Sequence, residues 1–240
     1  MRLAGRAARR VLEKLVGQVR PGITTKELDE AAAQFMEEER CRSAFLGYRG
    51  FPGQCCLSVN EEVVHGIGGK RRLQLGDVVK IDVGVNKDGW IGDTATTVGV
   101  GAVSADTVRL LQATEEALRV ALTHATSGRR LGDLCSAIEQ SVAGRGFTVV
   151  REFVGHGVGR KLHEEPQIPN FGKKGTGPKL KAGMTLAIEP MVNAGAPEVR
   201  VLGDGWTVVT RDGKYSAHFE HTVLITDAEP EILTCSGLTS

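Results

Sequence analysis

The stretch Val78-Val-Lys-Ile-Asp-Val-Gly84 places an acidic residue inside an otherwise apolar strand, and the chain contains a second copy of this arrangement. Leu73-Gln-Leu-Gly76 precedes the first copy, which carries Asp82, and Leu180-Lys-Ala-Gly183 precedes the second, which carries Glu189. A single charged residue in a strand ordinarily faces solvent. Two acids at matching positions of two similar segments indicate instead a shared functional role.

Further upstream, Gly22 and Gly128 also form a matching pair, because each separates two helical patterns. Helix, helix and strand therefore recur in the same order at nearly the same offset. This repetition predicts an internal duplication, with pseudo-repeats at about 1–105 and 106–240. We expect the two halves to fold around a pseudo-two-fold axis as one domain, 1–240, with a shared sheet.

The periodicity of apolar residues predicts the elements of this domain. Helices are expected at about 3–19, 25–36, 106–126 and 131–144. The Pro- and Gly-rich segment 164–180 is expected to be a loop. Strands are expected at 55–59, 62–67, 78–85, 94–100, 148–154, 185–192, 206–211 and 217–226.

Composition limits the classes of function. The chain has 240 residues, with 30 Lys and Arg against 29 Asp and Glu, so its net charge of +1 argues against an electrostatic nucleic-acid binder or a polybasic membrane anchor. No apolar run approaches the ~18 residues of a membrane span. The five cysteines include no spaced Cys-x-x-Cys pair, which favours a reducing, cytoplasmic location.

Acidic residues supply the first candidate site. Asp93 follows Asp82 across a predicted turn, and Glu220 lies in the corresponding strand of the second half, which also carries Glu189. Four carboxylates converging near the axis would repel one another unless some stayed protonated. Two divalent metal ions bridged by these carboxylates would remove the conflict.

Histidines supply the second set of candidates. His156 is bracketed by glycines, His65 ends an apolar strand, and His163 follows seven residues after His156. His218 and His221 flank Glu220. Imidazoles at such positions can bind metal or transfer protons.

Two other chemistries fit the sequence less well. The glycines around His156 lack the spacing of a dinucleotide-binding loop. Cys56 and Ser58 lack the context of an activated nucleophile, so Cys56 is predicted to pack as a small apolar residue.

Ten segments in chain order resemble the type I methionine aminopeptidases of peptidase family M24. This resemblance implies an α+β, pita-bread (creatinase/aminopeptidase) fold, in which a curved antiparallel sheet is backed by helices. The matching segments are 46–52, 58–61, 64–67, 80–84, 92–94, 154–159, 162–166, 188–193, 204–207 and 216–222.

The resemblance also implies a role for each metal-ligating position. Asp82 would chelate one ion, Asp93 and Glu220 would bridge two, and His156 with Glu189 would complete the second site. The ions would be Co²⁺, Mn²⁺, Fe²⁺ or Zn²⁺. Relatives also hold a monovalent cation, Na⁺ or K⁺, near the residues that correspond to Asn60, Glu62 and Ser216.

For the reaction, the resemblance implies hydrolysis by a metal-bridged water that releases an N-terminal methionine when the next residue is small. Glu189 would act as general base, His163 would contact the scissile carbonyl, and His65 would bind substrate near the scissile amide. The methionine pocket would be lined by Tyr48, Phe51, Cys56, Leu162, Met191 and Trp206. Phe45, Arg49, Phe51 and Leu162 differ from the residues common in bacterial relatives, and these departures fall at the pocket and not at the metal ligands.

The implied partners are nascent polypeptides and peptides with N-terminal methionine, with transient ribosome contact left open. A monomer without nucleic-acid or membrane binding is expected. Two alternatives remain: a pita-bread peptidase acting on Xaa-Pro bonds, and a non-catalytic binding protein of the same fold.

Overall fold

A computed structural model describes residues 1–235 of the chain. Tyr48–Gly50 forms a short 3₁₀ turn. The helices are α1 (Arg2–Val16), α2 (Thr25–Glu38), α3 (Ala105–Leu122) and α4 (Leu131–Ala143). The strands are β1 (Arg42–Ser43), β2 (Cys56–Val59), β3 (Glu62–Val64), β4 (Val78–Lys87), β5 (Trp90–Gly99), β6 (Thr148–Val149), β7 (Val154–Gly157), β8 (Glu164–Pro169), β9 (Thr185–Ile188), β10 (Met191–Asn193), β11 (Val199–Val201), β12 (Val208–Thr210), β13 (Ser216–His218), β14 (His221–Leu224) and β15 (Glu231–Ile232).

All four predicted helices are present, and local sequence explains their faces and ends. The apolar stripe of α1 is buried, including Ala8, Val11 and Leu15, at the spacing of one helix face. The side chain of Thr24 accepts a hydrogen bond from the backbone of Glu27, whose carboxylate accepts one in return from the backbone of Thr24. This capping box satisfies two amides that the helix cannot pair itself and fixes where α2 begins.

The strands pair antiparallel throughout the described chain, in four sheets. In the long hairpin β4–β5, β4 also pairs with β1 and β2. The order of the largest sheet is β15-β14-β9-β7-β8. The other two sheets have the orders β13-β10-β6 and β11-β12-β3. The antiparallel architecture with helices packed on it agrees with the prediction, but the expected shared sheet is divided into separate hydrogen-bonded sheets.

The paired glycines of the two halves adopt the same backbone conformation. Gly22 and Gly128 have φ of 89° and 84°, and Gly76 and Gly183 have φ of 92° and 93°, values that favour glycine over other residues. The amide of Gly22 donates to the carbonyl of Leu73, and that of Gly128 donates to the matching carbonyl in the second half. A single domain with pseudo-repeats 1–105 and 106–240 stays a prediction consistent with this geometry.

Two predicted strands of the second half are each divided in the structure. The segment 185–192 forms β9 and β10, which belong to different sheets, and the break falls at Glu189 and Pro190. Proline has no N–H for the ladder, so the strand cannot continue through it. The segment 217–226 is likewise divided into β13 and β14 around Glu220. Both breaks coincide with a proposed metal-ligating carboxylate.

The predicted loop 164–180 is wrong over its first six residues, which form β8. Because β8 is the outer strand beside β7, its prolines need not donate toward a further strand. The predicted strand 148–154 is also shorter than expected, since β6 covers only Thr148–Val149.

Each half encloses an apolar cluster between helices and sheet. Leu12, Leu28 and Ile81 belong to the first cluster, and Leu134 and Ile188 belong to the second. The helices therefore lie outside the sheets and leave the inner faces of the central strands to form the site. Within residues 1–235, no helix has the length and apolar character needed to cross a membrane.

Candidate metal centre and active site

Two carboxylates reach the site from the β4–β5 hairpin. In its register, Asp82 lies opposite Ala95, and Gly84 lies opposite Asp93. Since alternate residues of a strand share a face, Asp82 and Asp93 are diagonal neighbours on one face of the hairpin. The spacing predicted from sequence thus places both acids together.

Three further residues reach the same place from the second half. His156 of β7 lies opposite Ala187 of β9, and Glu189 stands two residues beyond Ala187, at the end of that strand. Glu220 occupies the break between β13 and β14. Strand breaks thus bring two second-half carboxylates toward the first-half pair.

The ligating atoms of this cluster are close together. Those of Asp93, His156 and Glu220 all lie within 4.8 Å of one another. His156 Nε2 is 3.5 Å from Glu189 Oε1 and 3.8 Å from Asp93 Oδ2. Asp82 lines the same pocket. The structure therefore brings together all five residues proposed as metal ligands.

The hydrogen-bond partner of His156 determines which of its ring nitrogens carries the proton. Its Nδ1 lies 2.9 Å from the carbonyl oxygen of Gly157, and a carbonyl can only accept. Nδ1 therefore carries the proton, which leaves the Nε2 lone pair directed at the carboxylates, as a metal-binding imidazole requires. Burial lowers the pKa of His156 to about 4, so the ring is neutral at physiological pH.

Threonines join the two halves directly behind the ligands. Thr222 Oγ donates to the carbonyl of Asp93 at 2.7 Å and accepts from the Asp93 amide at 3.2 Å. Thr94 Oγ donates to the carbonyl of Glu220 at 2.9 Å, and the Glu220 amide donates to Ala95. The backbone of both buried carboxylates is thus fixed by a residue of the opposite half.

Four ionised carboxylates this close together and buried would be electrostatically unfavourable without a cation. Burial and mutual repulsion raise the pKa of Asp82, Glu189 and Glu220 well above the usual range. Burial raises the pKa of Asp93 to about 7. In the part of the chain that the structure describes, neither Lys nor Arg forms an ion pair with any of the four.

A divalent cation fits this cluster. Asp82 Oδ1 and Asp93 Oδ1 are buried without a hydrogen-bond partner, although buried carboxylate oxygens are ordinarily satisfied. Carboxylate oxygens with one imidazole nitrogen form a donor set suited to Mn²⁺, Fe²⁺, Co²⁺ or Zn²⁺. An ion of this kind would neutralise the repulsion and satisfy both oxygens.

The pH dependence of metal binding follows from these pKa values. Below pH 7, Asp93 in the metal-free chain is protonated, so an entering ion must displace a proton, whereas neutral His156 offers no competition. We expect the apparent affinity for Mn²⁺ to fall about tenfold for each displaced proton as pH drops from 7 to 6. Calorimetric titrations in two buffers of different ionisation enthalpy check this by the protons released. An affinity independent of pH over this range would contradict it.

The other two predicted histidines lie at the rim of the cluster. The ring centroid of His163 is 4.2 Å from that of His156, and its Nδ1 is 2.8 Å from the Tyr48 hydroxyl. His65 adopts a left-handed backbone, with φ of 58°, and its ring packs edge-on against Trp206. Burial lowers the pKa of His65 to about 4, and burial with nearby Arg49 lowers the pKa of His163. Both rings are therefore neutral donors or acceptors near pH 7.

A pocket of about 310 Å³ opens onto the cluster. The Phe51 and Trp206 rings meet edge to face, with centroids 5.1 Å apart. All six predicted lining residues are present: Tyr48, Phe51, Cys56, Leu162, Met191 and Trp206. Phe45 and Arg49, which differ from common relatives, also line it, together with Val64, Glu152, Phe153 and Val154, which the sequence did not single out.

Cys56 is unsuited to act as a nucleophile. Burial raises its pKa well above the usual range, and the nearby carboxylate of Asp82 adds to this shift. The thiolate is the reactive form, so the thiol stays protonated and serves as an apolar wall of the pocket, as predicted.

His218 is a site residue that the sequence indicated only by its proximity to Glu220. It is buried, and its Nε2 lies 3.4 Å from Glu189 Oε2. Burial lowers its pKa to about 3, so it faces the carboxylate as a neutral ring. Its position next to a proposed ligand results from the break between β9 and β10, after which Met191 of β10 pairs with His218.

A buried cluster of carboxylates and one imidazole, placed at the end of an apolar pocket, is typical of a metal-dependent hydrolase. Comparison with known proteins is more specific. The sequence of residues 1–227 matches metallopeptidase family M24, and the chain belongs to this family.

Several named relatives of this chain are methionine aminopeptidases. Methionine aminopeptidase 1 of Bacillus subtilis is 52% identical over 98% of this chain and 94% of its own length. The Escherichia coli K12 methionine aminopeptidase is 47% identical over 98% of this chain and 89% of its own. A crystal structure of methionine aminopeptidase from Thermotoga maritima superposes with a TM-score of 0.96 at 46% identity, covering 98% of this chain and 94% of that one.

More distant structures share the fold alone. Prolidase from Pyrococcus furiosus superposes with a TM-score of 0.80 at 22% identity, and this chain covers 63% of its length. The pita-bread architecture expected from the sequence is thereby confirmed.

Proposed function

We propose that this chain is a methionine aminopeptidase, which hydrolyses the first peptide bond of polypeptides that begin with methionine. The observation that carries the proposal is the apolar pocket, which ends at the carboxylate cluster. Relatives that share about half of its residues over almost the whole chain are named for this activity. A thioether side chain suits such a slot because methionine is flexible and fills irregular apolar space.

Asp82, Asp93, His156, Glu189 and Glu220 would hold the divalent metal that the family uses. When bound, such a metal polarises the scissile carbonyl and lowers the pKa of a water toward neutrality. Glu189 lines the pocket, where a carboxylate can accept the proton of an attacking water. Two ions per chain, drawn from Co²⁺, Mn²⁺, Fe²⁺ or Zn²⁺, remain the prediction from sequence.

His163 and His65 would act on the substrate as neutral imidazoles. The Tyr48 hydroxyl holds the His163 ring beside the cluster, from where an N–H can donate to the scissile oxygen as negative charge develops on it. His65, which lines the same pocket beside Phe153 and Trp206, would hydrogen-bond the peptide near the amide. Because the pKa of each ring is lowered from its usual value, both stay uncharged near pH 7.

The pocket would set the specificity for methionine. Phe51 and Trp206 form an edge-to-face aromatic pair, while Leu162, Cys56 and Met191 supply aliphatic and sulfur surface. An apolar pocket of this size discriminates by shape and by loss of water. Five further points stay predictions. They are a small second residue in the substrate, nascent polypeptides as the source of substrate, transient ribosome contact, a cytoplasmic location and a monomeric state.

Two peptides test this function against the Xaa-Pro alternative. We expect the chain to release methionine from Met-Ala-Ser with Mn²⁺ or Co²⁺, and to cleave Ala-Pro-Ser at least about 100-fold more slowly in kcat/KM, since alanine leaves most of the pocket unfilled. Chromatographic measurement of both free amino acids gives the two rates. Faster cleavage of the proline peptide would support the alternative instead.

A further inference from the structure

Lys80 is the largest fully buried side chain in the described chain, and neither the metal site nor the pocket uses it. It stands on β4 between Ser58 of β2 and Thr97 of β5. Because Lys80 is two residues before Asp82, both side chains project from the same face of the strand. The lysine therefore points into the boundary between the two halves, directly behind the carboxylate cluster.

The amine of Lys80 meets only backbone oxygens there. Its Nζ donates to the carbonyl of Asn60 at 2.6 Å and to that of Ser216 at 3.0 Å. The nearby carboxylate of Glu62 is occupied elsewhere, since it accepts from the Val59 amide and from Arg71. Within residues 1–235, no carboxylate lies at ion-pair distance from the amine, which is unusual for a buried lysine.

The first carbonyl is held in place by a rigid turn. Asn60 adopts a left-handed backbone, with φ of 56°. Its side chain accepts from the Val78 amide at 2.9 Å and donates to Asp77 at 2.8 Å. The Asn60 carbonyl consequently faces the second half, where it also accepts from the Ser216 amide at 3.1 Å.

The second carbonyl is equally constrained. Ser216 begins β13, and its hydroxyl donates to the carbonyl of Val192 at 3.1 Å. Two buried carbonyls from opposite halves thus converge on one point. Converging backbone carbonyls are the ligands by which proteins replace the hydration shell of K⁺. Without a donor or cation between them, the Ser216 carbonyl would be buried unpaired, which is costly.

We propose that the Lys80 amine takes the place of an inorganic monovalent cation in this chain, so that the two halves are joined behind the metal centre without bound Na⁺ or K⁺. The proposal replaces the expectation, drawn from resemblance, of a free cation near Asn60, Glu62 and Ser216. It does not depend on the peptidase function. Because the amine is covalently attached, the junction is complete at any salt composition, whereas an ion contributes only in proportion to its occupancy.

Lys80 can donate to both carbonyls in either protonation state. Burial lowers the pKa of Lys80 to about 7, against an opposing effect of Glu62. Both the ammonium and the neutral amine carry at least two N–H groups, which is the number of carbonyls to be satisfied. In either state the nitrogen fills the position between them.

The experiment compares melting temperatures in KCl, NaCl and tetramethylammonium chloride at one ionic strength. We expect the wild-type Tm to be the same in all three salts. Lys80→Met keeps the bulk but leaves the Ser216 carbonyl unpaired and the Asn60 carbonyl with only the Ser216 amide, so its Tm should fall by roughly 3–10 °C in every salt. Lys80→Ser leaves space beside the carbonyls, so K⁺ or Na⁺ should raise its Tm saturably while tetramethylammonium should not.

Each of three results would overturn the proposal. A saturable rise of the wild-type Tm with K⁺ or Na⁺ would show that an inorganic ion is still bound. Equal Tm values for Lys80→Met and wild type would show that the amine does not stabilise the junction between the two halves. Indifference of Lys80→Ser to alkali cations would show that amine and ion are not equivalent at this position. If neither variant folds, the dependence of the wild-type Tm on K⁺ and Na⁺ alone decides whether an inorganic cation is bound.

Discussion

Glu189→Gln should lower kcat for Met-Ala-Ser by roughly three orders of magnitude or more, because the substitution removes an anionic proposed ligand and the proposed base in one step. The carboxylate lies 3.5 Å from His156 and 3.4 Å from His218, so a carboxamide of the same shape keeps the packing but not the charge. Steady-state assays with added Mn²⁺ measure the loss.

The same variant separates loss of chemistry from loss of fold. In the metal-free chain, the raised pKa of Glu189 reflects burial and repulsion by Asp82 and Asp93. Removing one acid from the cluster should leave the metal-free Tm unchanged or higher. Glu115→Gln, at an exposed carboxylate of α3 that does not line the pocket, is the matched control and should retain activity. Near-normal turnover by Glu189→Gln would refute its proposed role.

His163→Ala is expected to lower kcat by about 10²–10³-fold with a small change in KM, since a donor to the developing oxyanion acts chiefly in the transition state. Its ring lies against His156, and its Nδ1 is bound to the Tyr48 hydroxyl. Tyr48→Phe removes that hydroxyl while keeping the ring in the pocket. It should therefore cause a smaller loss of kcat.

The control for this prediction is His124→Ala. His124 is partly buried outside the site, follows α3 and contacts Arg129, and its replacement should leave both constants unchanged. A large rise in KM with normal kcat for His163→Ala would assign the residue to ground-state binding instead.

Local sequence was sufficient to predict the helices, the central hairpin and the convergence of four carboxylates, whereas His156 was proposed as the fifth ligand from the family resemblance. Asp82 and Asp93 could be placed because a hairpin fixes its register through its own turn. Glu189 could be placed because it repeats the position of Asp82. The duplicated glycines helped in the same way, since a left-handed turn limits the residue that can stand there.

What could not be predicted depends on contacts between distant segments. Lys80 lies in a strand pattern that would equally suit an exposed lysine, and only its carbonyl partner at Ser216 shows that it is buried. His218 approaches Glu189 because the second half divides its strands between sheets. The strand β8 was missed because prolines argue against strands, except at an edge that only the assembled sheet defines.

The central claim is that the cluster of Asp82, Asp93, His156, Glu189 and Glu220 holds the divalent metal on which removal of N-terminal methionine depends. Its most direct test is to measure methionine release from Met-Ala-Ser and bound metal on the same samples, as Mn²⁺ or Co²⁺ is added to the metal-free chain. We expect the metal-free chain to be inactive, methionine release to rise with bound metal, and Asp93→Asn to lose both metal binding and activity. Full activity of the metal-free chain, or unchanged metal binding and activity in Asp93→Asn, would contradict it.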